Sequence, residues 1–314
     1  MRHLLTLDDW TPAHIESALD LAEEIKAHPG NYAHAAHRRT LLMIFEKPSL
    51  RTRLSFETGM TRMGGHAIYY DTRSSPMGAG KETLEDTAHT FSRYVDIVMA
   101  RLFKHSDLEE MARHASVPII NALTDLAHPC QILADLLTIR EHKGRIRGLK
   151  VAYVGDSNNN VTHSLMIGCA MTGADIAVGC PAAADYAPQP SVLERARGLA
   201  KTHNSSVTVH ESAADAVADA DVVYTDSWMS YHIPQAELDE RVRIFMPYQV
   251  NADLMAAASS DAIFMNCLPA MRGYEQTADV IDGPQSVVFD QAENRLHAQN
   301  AVLLSLLEDA EKAH

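Results

Sequence analysis

Two arginines stand at a predicted helix start, where positive side chains are normally unfavourable. Residues 49–53 read Ser-Leu-Arg-Thr-Arg and follow a short apolar run that ends at Phe45. Ser49 is a good N-cap for a helix that begins near Leu50. The free backbone N–H groups of such a helix end bind phosphate, and an arginine fork adds charge-assisted hydrogen bonds. Because cations are disfavoured at this end, Arg51 and Arg53 indicate an anion. On this segment alone, a capped helix whose arginines simply lie on the surface is an equally good interpretation.

Further hydrogen-bond donors follow two more apolar runs. Arg101 follows one run directly, and His128 and Gln131 flank a proline after another. Pro129 favours a helix that begins there. Imidazole and carboxamide side chains can both donate a hydrogen bond to a carbonyl oxygen. Taken singly, His128 is more often a structural histidine than a functional one.

The second half of the chain places a carboxylate and a thiol after apolar runs. Asp226 is a candidate partner for an ammonium group, and Cys267 is a thiol at another strand end. A buried small hydrophobe is the commoner role of a free cysteine. The segment 155–160 after the run Val151–Val154 reads Gly-Asp-Ser-Asn-Asn-Asn and lacks the GxGxxG pattern of a dinucleotide site. Arg295, just before a predicted C-terminal helix, would by itself be a surface charge.

Short apolar runs rich in β-branched residues alternate with helix-length stretches along the whole chain. This alternation of strand and helix patterns predicts parallel sheets in an α/β architecture. Ligands bind beyond the carboxyl ends of such strands, which is where the candidate residues stand. The predicted strands are Leu41–Phe45, Ala67–Tyr70, Ile97–Ala100, Val117–Ile120, Val151–Val154, Ile176–Gly179, Val207–Val209, Val222–Thr225 and Ile263–Cys267.

The length and the charge distribution point to two domains. A chain of 314 residues favours two domains. Residues 1–150 carry 19 basic and 19 acidic residues, a balance of 0, whereas residues 151–314 carry 8 and 22, a balance of −14. An acidic surface disfavours nucleic acid. The predicted border lies in the basic segment 141–148, which gives a first domain of residues 1–146 with a C-terminal helix from 293–314, and a second of 147–292. Residues 11–26 and 293–307 have helical patterns.

The remaining composition indicates a cytoplasmic protein. No apolar run approaches the ~18 residues of a membrane span, and the first ten residues turn acidic too soon for a signal peptide. The four cysteines form neither a CxxC pair nor a zinc spacing, so reduced thiols are expected.

Four of these segments, in this order, resemble the aspartate/ornithine carbamoyltransferase family. The family patterns S-T-R-T-R, H-P-x-Q, D-x-W and C-L-P correspond here to residues 49–53, 128–131, 226–228 and 267–269. The resemblance implies two doubly wound parallel-sheet α/β domains with a cleft between them, and a C-terminal helix packed on the first. It also implies transfer of a carbamoyl group from carbamoyl phosphate to the δ-amino group of L-ornithine, giving citrulline. No cofactor or metal is needed, and the assembly would be a homotrimer or a multiple of trimers.

The resemblance also assigns site residues. Arg101, His128, Asp226, Cys267 and Arg295 would be catalytic. Carbamoyl phosphate would be held by Ser49, Leu50, Arg51, Thr52, Arg101, His128, Gln131, Cys267, Leu268 and Arg295, and by Met77 and Lys81 from a neighbouring subunit. Ornithine would be held by Asn160, Asp226, Ser230 and Tyr231.

Departures from the family pattern leave the amine substrate open. The segment 230–232 reads Ser-Tyr-His where ornithine enzymes usually have Ser-Met-Gly, so a permissive glycine is lost from a substrate loop. Leu50, Met77 and Asn266 replace the usual threonine, glutamine and histidine. Putrescine or N-acetylornithine is therefore an alternative amine, and a non-catalytic binding protein is an alternative of another class.

Overall fold

The protein forms two compact α/β units in a computed structural model that describes residues 2–78, 80–229 and 233–312. The first unit comprises Met1–Leu137 with Glu293–His314, and the second comprises Thr138–Ala292. Each unit is built on one sheet whose strands pair in parallel. The parallel α/β class predicted from the alternation of apolar runs is confirmed.

The first unit holds a four-stranded sheet in the order β2-β1-β3-β4. Its strands are β1 (Thr40–Phe45), β2 (His66–Asp71), β3 (Ile97–Arg101) and β4 (Ile119–Leu123). Its helices are α1 (Pro12–Ala27), α2 (Leu50–Arg62), α3 (Leu84–Phe91), α4 (His105–His114) and most of α5 (Pro129–Lys143). The switch in strand order at β1 and β3 places their carboxyl ends side by side, where parallel sheets bind ligands.

The prediction for β4 was wrong by about two residues. The expected strand was 117–120, but the ladder runs from Ile119 to Leu123. Pro118 has no backbone N–H that could donate to a neighbouring strand. Its carbonyl still accepts a hydrogen bond from the Val98 N–H at 2.9 Å. The strand continues through the polar Asn121 because that side chain is buried and donates to the Leu5 carbonyl at 2.8 Å.

The second unit holds a five-stranded sheet in the order β7-β6-β5-β8-β9. Its strands are β5 (Lys150–Val154), β6 (Asp175–Gly179), β7 (Val207–His210), β8 (Val222–Thr225) and β9 (Ile263–Asn266). Its helices are α6 (Asn160–Thr172), α7 (Pro190–His203), α8 (Ala213–Val217), α9 (Leu238–Phe245), α10 (Ala252–Ala256) and α11 (Ala278–Ile281). The predicted last strand was one residue too long, because Cys267 follows β9 and is not part of it.

The C-terminal helix α12 (Val288–Lys312) is longer than its predicted span of 293–307. From Glu293 onward it belongs to the first unit, as expected. Asn294 accepts from Lys26 of α1 at 2.9 Å, and Gln299 donates to Ser55 of α2 at 2.9 Å. This docking brings a helix from the end of the sequence to the start of α2. Within the described part of the chain, no helix is both long and apolar enough to cross a membrane.

Candidate active site

The start of α2 is capped as the sequence predicts. The Ser49 hydroxyl oxygen accepts from the backbone N–H of Thr52 at 3.3 Å, and the hydroxyl donates to Thr52 Oγ1 at 3.0 Å. Leu50 is 70% exposed, so its side chain is not part of the core. Arg51 is half-buried in the first turn. A capped helix start with an arginine in its first turn is an anion-binding arrangement.

Arg295 of α12 links the start of α2 to the start of α5. Its guanidinium donates to Gln131 Oε1 at 2.7 Å, to Thr52 Oγ1 at 3.3 Å and to Gln299 Oε1 at 2.8 Å. All four side chains are buried. Gln131 in turn donates to Asp135 at 2.8 Å. Arg295 is therefore a positioned cation inside the first unit, and the interpretation of it as a surface charge is wrong.

His128 is a buried histidine whose ring interacts electrostatically with three arginines. The side chain is buried directly before α5, and burial lowers the pKa of His128 well below its usual value. The positive charges of Arg295, Arg101 and Arg51 lower that pKa further, in this order of size. The imidazole is therefore neutral near neutral pH, and in that form one ring nitrogen can donate a hydrogen bond while the other can accept one.

Arg101 ends β3 beside an irregularity of the sheet. The register between β3 and β4 shifts at Ala100 and Arg101, so one extra β4 residue, Ala122, is accommodated. Such bulges re-aim side chains at strand ends. The Arg101 side chain is buried, and its backbone carbonyl accepts from the Glu46 N–H at 2.9 Å.

Lys47 is a buried cation that the sequence prediction did not include. It follows β1, is 6% exposed, and its ammonium lies 4.4 Å from the centre of the Phe103 ring. Burial, and secondarily the charge of Arg101, lowers the pKa of Lys47. The only sequence signal is its position two residues after a strand. With Lys47, the first unit gathers four cations at the carboxyl ends of β1 and β3 and around His128.

In the second unit, the ends of β8 and β9 bring a carboxylate and a thiol together. The Cys267 thiol donates to Asp226 Oδ1 at 3.1 Å, and the Ser227 N–H donates to the same oxygen at 2.7 Å. Of the four cysteines, Cys267 is the one that is not buried. Asn266 holds the following turn, because its side-chain oxygen accepts from the Leu268 N–H at 2.8 Å.

Sequence reasoning missed two further buried acids in this unit. Asp156, after β5, pairs with Arg241 of α9, and burial raises the pKa of Asp156 to about 6. Arg241 also donates to the Trp228 carbonyl at 2.6 Å. Glu275 accepts from the Trp228 N–H at 3.1 Å, and burial raises the pKa of Glu275. These bonds fix the segment that follows Asp226, since Trp228 is held on both sides.

The other predicted site residues lie in varied settings. Asn160 is half-buried at the start of α6, next to the N-cap Asn159. Met77 is buried in the apolar core of the first unit, and Lys81 is exposed on the segment before α3. Ser230 and Tyr231 lie outside the described residues, as does His232.

The first unit holds a cationic cluster and the second holds an acid and a thiol, each at the carboxyl ends of parallel strands. Comparison with known proteins identifies the family. The chain belongs to the aspartate/ornithine carbamoyltransferase family. The family's carbamoyl-P binding domain matches residues 2–141, and its Asp/Orn binding domain matches residues 147–306.

Individual relatives are similar to this chain over nearly its full length. The ornithine carbamoyltransferase of Pyrococcus horikoshii is 50% identical over 308 residues, which is 98% of this chain and 96% of that protein. A Pyrococcus furiosus relative named ornithine carbamoyltransferase, anabolic, is 50% identical over 304 residues, or 96% of this chain and 95% of that protein. The solved ornithine carbamoyltransferase of Pyrococcus furiosus has a TM-score of 0.93 at 48% identity, covering 98% of this chain and 97% of that one. The Giardia lamblia ornithine transcarbamoylase structure has a TM-score of 0.90 at 45% identity, with 98% of both chains covered.

Proposed function

We propose that this protein transfers the carbamoyl group of carbamoyl phosphate to the δ-amino group of L-ornithine, giving L-citrulline and phosphate (EC 2.1.3.3). The observation that carries the proposal is the capped start of α2, where the buried Arg295 donates to Thr52 Oγ1 at 3.3 Å, together with the buried Arg101 and His128 of the same unit. This set suits a substrate with a phosphate at one end and a polarisable carbonyl at the other. The names of its relatives support ornithine as the amine.

The phosphate is held at the start of α2. Backbone N–H groups of the first helical turn, the Arg51 fork and the hydroxyls of Ser49 and Thr52 bind its oxygens. Lys81 of a neighbouring subunit adds a positive charge. Met77 was assigned with Lys81, but its burial in the core favours a structural role for its side chain within its own subunit.

The carbonyl is activated by donors on three elements. Arg101, His128 and Arg295 donate to the carbonyl oxygen and stabilise the negative charge that develops on it as the amine attacks. Gln131 orients Arg295 and contacts the carbamoyl group, and Cys267 and Leu268 complete the carbamoyl phosphate set. The C–O bond to phosphate then breaks, and phosphate leaves with the electron pair.

Ornithine is recognised by its charged α-substituents. Asp226 binds the α-ammonium, Asn160 helps to fix the α-carboxylate, and Ser230 and Tyr231 contribute from the substrate loop. The Cys267 thiol, held on Asp226, orients the δ-amine and assists removal of its proton without forming a covalent intermediate. Much of the acceleration comes from holding the two substrates in reacting geometry.

We also propose a setting for the enzyme. We place the enzyme in the cytoplasm, as a homotrimer or a multiple of trimers, and without nucleic-acid or membrane partners. The name of the anabolic relative supports arginine biosynthesis as its direction.

A product assay tests the proposed reaction. Purified protein is given carbamoyl phosphate with ornithine, putrescine, N-acetylornithine or aspartate in parallel. We expect citrulline to form from ornithine. The kcat/KM for ornithine should be at least about a hundredfold higher than the kcat/KM for every other amine. Turnover of putrescine or N-acetylornithine instead would reassign the second unit, and carbamoyl phosphate binding without any turnover would refute catalysis.

A further inference from the structure

A cluster of three potential metal ligands lies on the first unit, outside the proposed site. Glu85 and His89 are one turn apart on α3, and His114 is the last residue of α4. Glu85 Oε1 lies 3.7 Å from His89 Nε2 and 3.5 Å from His114 Nδ1. One potential ligand atom from each side chain lies within 4.8 Å of the other two.

The spacing of these atoms fits a tetrahedral metal ion. A zinc ion with bonds of about 2.0–2.1 Å holds neighbouring ligand atoms about 3.3–3.4 Å apart. The two measured separations from Glu85 exceed that spacing by a few tenths of an ångström, which side-chain rotation can remove. Two imidazoles and one carboxylate are a common zinc set, and a water completes the fourth position.

A second carboxylate stands behind His114. Glu110 Oε1 lies 3.3 Å from His114 Nε2, whereas the other ring nitrogen, Nδ1, is the one that lies 3.5 Å from Glu85. Metal-bound histidines typically donate their other ring N–H to a carboxylate, which orients the ring and strengthens the ligand. His114 already has this arrangement, because one ring nitrogen lies near Glu85 and the other near Glu110. A simple ion pair between one histidine and one glutamate would need only one of these carboxylates.

From this geometry we infer that Glu85, His89 and His114 form a binding site for a zinc-type divalent cation, with Glu110 as the partner of His114. The bound ion would join the start of α3 to the end of α4. Since α3 begins three residues after Lys81, the ion would also fix the base of the segment 77–82. Its role is to clamp these helices, and the ion takes no direct part in the proposed carbamoyl transfer.

Calorimetric titration of the full chain with Zn²⁺ tests the site. Cys267→Ser protein is the background, since the thiol could bind the same ion. We expect one Zn²⁺ per chain, with affinity lowered more than about tenfold in His89→Ala and in His114→Ala, and by about tenfold in Glu110→Gln. His28→Ala, which removes an exposed imidazole elsewhere, should bind as the background does. Mg²⁺ at the same concentration should not bind, because imidazole does not suit it.

Two further readouts separate metal binding from misfolding. Co²⁺ should give a tetrahedral visible absorption band that His114→Ala lacks, while the metal-free unfolding midpoints of the two proteins agree. Zn²⁺ should raise the midpoint of the background protein and leave that of His114→Ala unchanged, because a ligand that binds the folded state stabilises it. Absence of Zn²⁺ binding in the background protein, or equal binding after His89 and His114 are both replaced by alanine, would overturn the site.

Discussion

Arg295 donates a 2.7 Å hydrogen bond to Gln131 from a position 164 residues further along the chain. Both side chains are buried, and the same guanidinium also reaches Thr52 at the start of α2. One arginine from the C-terminal helix thus joins the proposed phosphate end of the site to the helix that follows His128. The docking of α12 on the first unit is what completes this hydrogen-bond network.

Replacing Arg295 should remove much of the transition-state stabilisation. We expect Arg295→Met to lower kcat/KM for carbamoyl phosphate by about 10²–10³-fold, as for loss of an oxyanion donor. Arg295→Lys should remain at least about tenfold impaired, because an ammonium cannot reproduce the fork. Arg62→Met, an exposed arginine at the end of α2, is the control for steady-state kinetics. A kcat/KM within about threefold of wild type for Arg295→Met would exclude Arg295 from the chemistry.

Stability should depend on pH through His128. Its folded-state pKa lies below the usual 6.5, so the folded protein binds that proton more weakly than the unfolded chain. The contribution of His128 to stability is present above about pH 6.5 and is lost as pH falls toward the lowered pKa, by up to about 1.4 kcal/mol per pH unit. His128→Asn should therefore lose less stability on acidification.

Urea unfolding at about pH 7.5 and about pH 5.5 measures this difference. His28→Asn, which alters an exposed histidine, should retain the wild-type pH dependence. If His128→Asn loses as much stability as wild type over this range, the lowered pKa of His128 is wrong.

Arg241 should be essential for stability of the second unit. It pairs with the buried Asp156 and donates to the Trp228 carbonyl. Arg241→Met leaves a buried carboxylate without its cation, which typically costs about 3–5 kcal/mol. Arg243→Met on the exposed face of α9 is the matched control, with a loss below about 0.5 kcal/mol. Chemical denaturation measures both, and equal losses would contradict the role of the buried pair.

Cys267 should matter through its hydrogen bond to Asp226. We expect Cys267→Ala to lower kcat/KM for ornithine by about 10–100-fold, which corresponds to loss of a hydrogen bond to a charged group. Cys267→Ser keeps a donor and should retain more activity than the alanine variant. Cys180→Ser, at a buried thiol whose pKa burial raises to about 11, should leave the kinetics near wild type. Equal activity of Cys267→Ala and wild type would remove the thiol from the mechanism.

Strand ends and helix starts were predictable because they depend on local sequence. Ser49 caps α2 through a bond to a residue three positions away, and the apolar runs gave most strands to within a residue. The shift of β4 was not predictable in the same way. Its extension through Asn121 depends on a hydrogen bond to Leu5, which is distant in sequence.

Burial and long-range pairing account for what the sequence could not provide. Lys47 reads as an ordinary charged residue until the fold buries it beside Arg101. Asp156 and Arg241 are 85 residues apart, so their pairing depends on α9 packing near the end of β5. Sequence spacing likewise could not predict that His114 lies beside Glu85 and His89. His114 ends α4, whereas the other two proposed ligands are on α3.

The most direct test compares two arginines of α2 in citrulline formation. Arg51 is half-buried in the first turn of α2. Arg53 is exposed, pairs with Glu57 at 3.1 Å and lies 4.1 Å from the Tyr69 ring centre. With ornithine saturating, Arg51→Ala should lose about 10²–10³-fold in kcat/KM for carbamoyl phosphate, and Arg53→Ala should stay within about threefold of wild type. Near-wild-type activity of Arg51→Ala, or equal losses in both variants, would contradict binding of carbamoyl phosphate at this helix start.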